Sequence, residues 1–471
     1  MTAELNVLRG FEPEYVRGVP TNETAQRMFD ELAYQRATQV YLWGLAAVGM
    51  HQYRKANGEA MGGGSDRHKI GYLGGLLKSN IEHVTGNPDS CYIECFIDTH
   101  DGPVMVEAPP ELPGLLDDMW QKPVVDIIAP ISPSGKYLIV PPGWGGKAPA
   151  DCVVARPATY VTWFALRGGV EQTATGPDTS TAVELMRTKL IFYPFTTDGA
   201  EPDASPMEYY NVSDLAINRV MPEGLEFFYA LAEVVSSEAP EQTDSFAMGL
   251  MRSIGIEPGG TFQPDQRMRA ILTKAASTGQ AMARTIAYHG NEEERWHWPD
   301  RRYGEAFMGG SAAFLADGHV NHDPRIAFFY LACGTSALMA SKTPGVGQAY
   351  PWVARDADGN AFDGAQTYKM HIPADIPAAL YWSVTAYDTG TRSQIHNGEP
   401  FSRISMFTGP AGNPDGTFDL YFGPDVPAGE EANWIRTVPN QGWFILFRLY
   451  GPQQAYFDLS WKPDDIVLIR P

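Results

Sequence analysis

Gly86-Asn87-Pro88-Asp89-Ser90-Cys91-Tyr92-Ile93-Glu94-Cys95-Phe96-Ile97 sets a short polar turn in front of a nearly unbroken apolar run. Asn, Pro, Asp and Gly punctuate turns, and an apolar run of this length bounded by them reads as a buried strand. The same rhythm repeats downstream, at Val104–Ala108, Tyr137–Val140 and Thr159–Leu166, each run closed by Gly, Pro or Asp. From Ile81 to Gly168 the chain therefore predicts an antiparallel β domain. Cys91 and Cys95 lie four apart on such a strand and face one side of its sheet, where they are expected as small buried thiols.

Outward from this block the hydrophobic period changes. Thr21-Asn22-Glu23 offers an N-cap, and Met28, Phe29, Leu32, Val40 and Tyr41 then recur at helical spacing, with the helix expected to end before Asn57-Gly58. Thr181-Ala182-Val183-Glu184 predicts a capping box opening a helix over Val183–Leu190. Between Pro222 and Gly290 two stripes have a period of 3.6: Leu225, Phe228, Leu231, Ala232 and Val235, then Met268, Ile271, Leu272, Ala275, Met282 and Ile286. Strands are expected again from Tyr303, most clearly at Arg325–Ala332, Ala379–Tyr387, Thr417–Phe422 and Trp443–Tyr450. The expected class is mainly β with a helical middle, divided into 1–60 (helical), 61–200 (β), 201–300 (helical) and 301–471 (β). A chain of 471 residues exceeds what one core usually serves, which agrees with several domains.

Composition excludes some partners. With 35 Lys+Arg against 56 Asp+Glu the net charge is −21, a field that repels nucleic acid and anionic membrane surfaces. No stretch of 18 consecutive apolar residues is present, so no membrane span is expected. Met1-Thr2-Ala3-Glu4-Leu5-Asn6 lacks a basic segment followed by an apolar one, which predicts a cytoplasmic location, the alternative being an exported protein in its mature form.

The block from Gly86 to Gly168 carries an Asn-x-Asp-x-x-Tyr element, an Asp-x-x-x-Gly-Pro turn from Asp98 to Pro103, and Gly143-Trp144 after the Tyr-Leu-Ile-Val strand. A second block runs from Asp356 to Lys462 through Tyr381-Trp382-Ser383-Val384-Thr385-Ala386-Tyr387-Asp388, Asn433-Trp434 and Arg448-Leu449-Tyr450, with Ile254-Gly255-Ile256-Glu257-Pro258-Gly259 between the two. Together they resemble proteins that pair a domain of unknown function 1254 (N-terminal) with a domain of unknown function 1214 (C-terminal). Cys91 departs from the apolar residue or Thr usual in that family, and the loop after Trp120 lacks its Tyr-x-Asn. The resemblance implies two antiparallel β-sandwich or jelly-roll-like units with helices between and around them; it transfers no catalytic set.

Familiar catalytic motifs are absent. The chain has no Gly-x-Ser-x-Gly elbow, Walker loop, Gly-x-Gly-x-x-Gly or His-Glu-x-x-His. Asp356-Ala357-Asp358-Gly359-Asn360 starts like a calcium loop, but Ala361 stands where that loop requires Gly and Thr367 where it requires Glu, so a hairpin turn is expected. His319, His322 and Asp323 are ligand types at a spacing foreign to known zinc sites, and neither metal nor cofactor is expected. The strongest site candidate is the Asn87-to-Tyr92 turn. Asp89 is the candidate general acid or base and Tyr92 the donor, since a carboxylate buried among apolar groups gains a raised pKa. An Asx-turn with Tyr92 in the core suits the same residues. Asn87, Arg156, Trp296, His297 and Arg403 are the candidate substrate-binding residues: guanidiniums recognise carboxylate or phosphate, and indoles form walls. The expected function is a hydrolase acting on a small molecule in a pocket between the β domains. The rival is a non-catalytic β-sandwich binder of a sugar or aromatic ligand, and a third possibility is a homo-oligomer joined through the helical layer.

Overall fold

The computed structural model describes residues 11–64, 68–174, 176–196, 206–238, 244–290, 295–307 and 310–470. Its order of elements follows the expected alternation. Strand Cys91–Asp98 is buried along nearly its whole length because both its faces are covered. Cys91, Ile93, Cys95 and Ile97 point into one core, while Phe96 belongs to another. The two cysteines are buried on one face, as their spacing requires, and are not joined in a disulfide. Such two-sided burial is what an unbroken apolar run means in a strand.

Cys91–Asp98 sits inside a six-stranded sheet ordered Glu208–Asn211, Lys69–Tyr72, Cys91–Asp98, Val161–Gly168, Gly114–Asp118, Pro123–Ile127. A four-stranded sheet ordered Val153–Ala155, Lys136–Ile139, Val104–Glu107, Ile191–Pro194 closes over it. Ile93, Phe164 and Leu166 meet Val106, Tyr137 and Ile139 between the layers, forming the first sandwich. The second sandwich pairs a sheet built on Ala378–Asp388 and Trp443–Pro452 with one built on Tyr368–Ile372 and Phe418–Gly423. Val384, Ile445 and Phe447 pack there against Met370, Leu420 and Phe422. Pairing is mostly antiparallel; four short pairs are parallel, among them Glu208–Asn211 with Lys69–Tyr72, which carries the first sheet past residue 200.

A helical layer fills the space between the sandwiches. It comprises α1 (Asn22–Ala60), α3 (Leu225–Ser237), α4 (Ser245–Ser253), α5 (Gln266–Tyr288) and α6 (His322–Leu331), with α2 (Ser180–Lys189) on the first sandwich. Leu45, Phe228, Leu231, Leu272 and Phe329 of this layer share one core with Trp163 from the first sandwich and Phe444 from the second. The layer is thus assembled from the N-terminal part of the chain and from two stretches of its middle.

Three local expectations are corrected. Arg325–Ala332 was expected as a strand and is the body of α6. Periodicity alone cannot separate a short buried helix from a strand, and Asp323-Pro324 in the first turn favours a helix start. Helix α1 runs through Asn57-Gly58, because Asn57 is buried and its carbonyl accepts from Met61 N at 3.0 Å. Chain reversal waits for Gly62–Gly64, all at positive φ. Finally, α2 begins at Ser180 without a capping box; the Thr181 hydroxyl donates to Glu171 at 2.8 Å instead.

One buried carboxylate makes stability depend on pH. Glu238, just past α3, accepts from the Tyr160 amide at 2.5 Å, and burial pushes its carboxyl up from 4.5 to about 7. Between those values the folded protein holds a proton that the unfolded chain has released, so stability falls as pH rises through this window. Glu238→Gln should remove a slope of up to about 1.4 kcal/mol per pH unit. Urea midpoints of wild type and variant, compared across that range, measure it; parallel curves would refute it.

Candidate functional site

Two strands, one from each sandwich, turn the same pattern toward the middle of the molecule. In Val161–Gly168 the residues Trp163, Ala165 and Arg167 share a face; in Trp443–Pro452 the residues Phe444, Leu446 and Arg448 do so. All six line one cavity of about 370 Å³ at the junction of the two sandwiches and the helical layer. Helices α5 and α6 supply apolar wall through Ile286, Ala327, Phe328 and Leu331, and Tyr350 and Trp352 add aromatic surface. The loop His83–Asn87 closes the end where the arginines stand.

That loop is clamped into the second sandwich by a polar network. Arg448 donates to Thr85 O and Tyr387 Oη, each at 2.6 Å, and to Thr385 Oγ1 at 3.0 Å. Tyr387 Oη donates to Gly86 O at 2.7 Å. Arg167 donates to Tyr450 Oη at 2.9 Å. Asn87 Nδ2 donates to Tyr450 Oη at 2.6 Å and Tyr381 Oη at 3.0 Å, and Tyr92 Oη accepts from Asn87 N at 3.1 Å. Among the described residues no carboxylate is hydrogen-bonded or ion-paired to Arg167 or Arg448. Arg448 is buried and Arg167 partly so, and buried cations are normally paired; with phenols, a hydroxyl and carbonyls as their partners, positive charge is left uncompensated at this end.

The field there is felt by His83. Burial, then the charges of Arg219, Arg167 and Arg448, hold its imidazole well below the usual range, so it is neutral. Its Nδ1 is buried and has no hydrogen-bond partner among the described residues. Burial also raises the phenols: Tyr92 goes up, and Tyr387 is pushed up to about 12. Both stay protonated at neutral pH: Tyr387 donates to Gly86 O, and Tyr92, on the cavity wall, can donate to a ligand. Behind His83 lies a separate, neutralised group. Glu94 meets Arg219 at 3.1 Å, and Tyr53 Oη donates to Glu94 at 2.5 Å while its ring meets His83 edge-on at 5.1 Å.

Of the residues singled out in the sequence, Asn87, Tyr92 and Asp323 line the cavity. Asp89 and Arg403 do not. They bind each other across the domain junction, Nε to Oδ1 at 2.6 Å, with Ser405 Oγ donating to the same oxygen at 3.1 Å. The expected acid–base and the expected substrate-binding arginine therefore neutralise one another. Arg156 lies at the surface, donating to Trp144 O at 3.1 Å beside that indole. His297 stacks on Tyr456 with ring centroids 3.9 Å apart, and burial lowers its pKa to about 4. Trp296 sits beside Arg295, and neither it nor His297 reaches the cavity. His319 lies on a short strand, with His322 and Asp323 in the first turn of α6. Among the described residues no three His, Cys, Asp or Glu side chains group as metal ligands. Asp356–Asn360 is a tight turn, with Asn360 N donating to Asp356 Oδ1 at 2.8 Å, as the hairpin expectation required.

Arg167, Arg448 and His83 were not anticipated. The available signal was alternation: Trp163-x-Ala165-x-Arg167 and Phe444-x-Leu446-x-Arg448 each place a cation in line with residues that must be buried.

Family models match at both sandwiches. Residues 76–194 match a protein of unknown function (DUF1254), and residues 347–454 match a protein of unknown function (DUF1214). The chain pairs a DUF1254 domain with a DUF1214 domain. Arg167, His83 and Asn87 fall in the DUF1254 part, and Arg448, Tyr350 and Trp352 in the DUF1214 part, so the cavity is built by the pairing. Helices α1, α3, α4, α5 and α6 lie outside both matched segments. The crystal structure of a Vibrio parahaemolyticus protein superposes with TM-score 0.53 at 16% identity, covering 93% of this chain and 100% of that one. It shares the fold. An uncharacterized Burkholderia cenocepacia protein aligns with TM-score 0.37 at 13% identity, over 98% of this chain and 92% of that one. A search of curated proteins found no significant match.

Proposed function

We propose that the cavity between the DUF1254 and DUF1214 sandwiches binds a small aromatic or otherwise apolar molecule that carries an anionic head. The observation that carries this is the pair Arg167 and Arg448 at one end of a largely apolar chamber, bonded to phenols, a hydroxyl and carbonyls and, among the described residues, to no carboxylate. A protein of net charge −21 gains nothing for general solubility from burying two cations, whereas a bound anion compensates them. Trp163, Trp352 and Phe444 offer faces for an aromatic body, the arrangement expected of an orienting polar end in an otherwise apolar site.

Trp163 and Trp352 also provide the probe. Titration of intrinsic fluorescence with aromatic carboxylates should show saturable binding, and the corresponding primary amides should bind at least about tenfold more weakly, the scale of a charged hydrogen bond. Equal affinity for acid and amide would end the proposal. Hydrolysis of a small ester is the second reading, favoured by Tyr92, whose protonated phenol stands at the arginine end. Its acid or base would have to come from a group other than Asp89. Turnover of an aromatic ester that is lost in Tyr92→Phe would move the function to that reading.

A further inference from the structure

The cavity is not the whole of the apolar space. A groove of about 790 Å³ runs over the helical layer between α1, α4, α5 and α6. Thr285, Ile286 and Asp323 line both the groove and the junction cavity. On α5 the residues Thr278, Met282 and Ile286 face the groove; Ile286, with Gly290 just past the helix end, also faces the cavity. Spaced by four, Thr278, Met282 and Ile286 form one helical stripe, which spans about 12 Å and leads from surface to interior. Two apolar side chains on the groove are left in water: Phe246 at 75% exposure and Met282 at 44%. Met282 belongs to the apolar stripe of α5, yet among the described residues it is left largely uncovered.

We infer that the ligand of the junction cavity is an elongated amphipath, whose anionic head lies at Arg167 and Arg448 and whose hydrocarbon tail runs along α5 past Ile286 into the groove. This rests on the anion-binding reading of the cavity. The occupant of the groove is the tail because the two spaces share walls at Thr285, Ile286 and Asp323. The charges set the direction: Asp244 and Asp323 line the groove beside Arg325, whereas Arg167 and Arg448 stand together at the far end of the cavity, which is the place for an anionic head.

A series of straight-chain carboxylates of roughly four to sixteen carbons tests this, with affinity expected to rise by about fourfold for each methylene that becomes buried. Two variants locate the tail. Ala281→Trp fills the groove, and Met282→Glu places a charge on it; both residues are exposed and line the groove but not the cavity, so folding is not at risk. Each should weaken long-chain binding by at least about tenfold, while a short aromatic carboxylate keeps its affinity within about twofold. Long-chain affinity that is unchanged in both variants, or that stops rising once the chain fills the cavity, overturns the tail and leaves the anion site standing. Absence of binding by short and long carboxylates alike removes the anion site and the tail with it.

Discussion

Asp89→Ala is expected to destabilise the protein by about 3–5 kcal/mol, because it strands the Arg403 guanidinium in a buried place without its counter-charge. The Asp89 side chain is 1% exposed and that of Arg403 9%, so water cannot screen the loss. Asp89→Asn keeps an acceptor for Arg403 Nε but not the charge, and should cost less. The effect is structural: the pair joins the Asn87–Tyr92 turn of the first sandwich to strand Arg403–Ser405 of the second. Ligand affinity of the folded Asp89→Asn protein should therefore stay within about twofold of wild type, since no direct contact is lost. Chemical denaturation and a binding titration on the same sample check both halves. Full stability with abolished binding or turnover would return Asp89 to the site.

Arg167→Met should do the opposite. Its guanidinium donates to Tyr450 Oη, and the long apolar replacement fills similar space, so stability should change by about 1 kcal/mol or less. Binding of an anionic ligand should fall by about ten- to a hundredfold, the range for a lost charge-assisted hydrogen bond. A neutral amide of the same ligand should lose little, which separates loss of a charge contact from loss of shape. Arg448→Met is a less clean test, because Arg448 also holds Thr85 O and Tyr387 and so helps to fix the loop itself.

The strands were legible because burial on two faces writes itself as continuous apolar runs: Cys91–Asp98 and Trp443–Pro452 could be placed to within a residue or two. Helices α3 and α5 were legible from their 3.6-residue stripes. The helical layer as an assembly was not, since α1 and α6 come to it from distant parts of the chain and α6 is too short and too apolar to betray its period. The site was half legible. Asn87 and Tyr92 stood out as polar groups at the mouth of a buried strand. Asp89 stood out for the same reason, but its partner is 314 residues away, and no local pattern says that an acidic residue is already neutralised. Arg167 and Arg448 lay in plain alternation with residues of the core. Only their meeting across the domain junction turns two strand residues into a site.

The position of a bound head group tests the anion site most directly. In a crystal of the protein saturated with an aromatic carboxylate, the two carboxylate oxygens are expected about 3 Å from the guanidiniums of Arg167 and Arg448, with the ring against Trp163, Trp352 or Phe444. A carboxylate held elsewhere, or the ring at the arginine end with the head facing the groove, would contradict it.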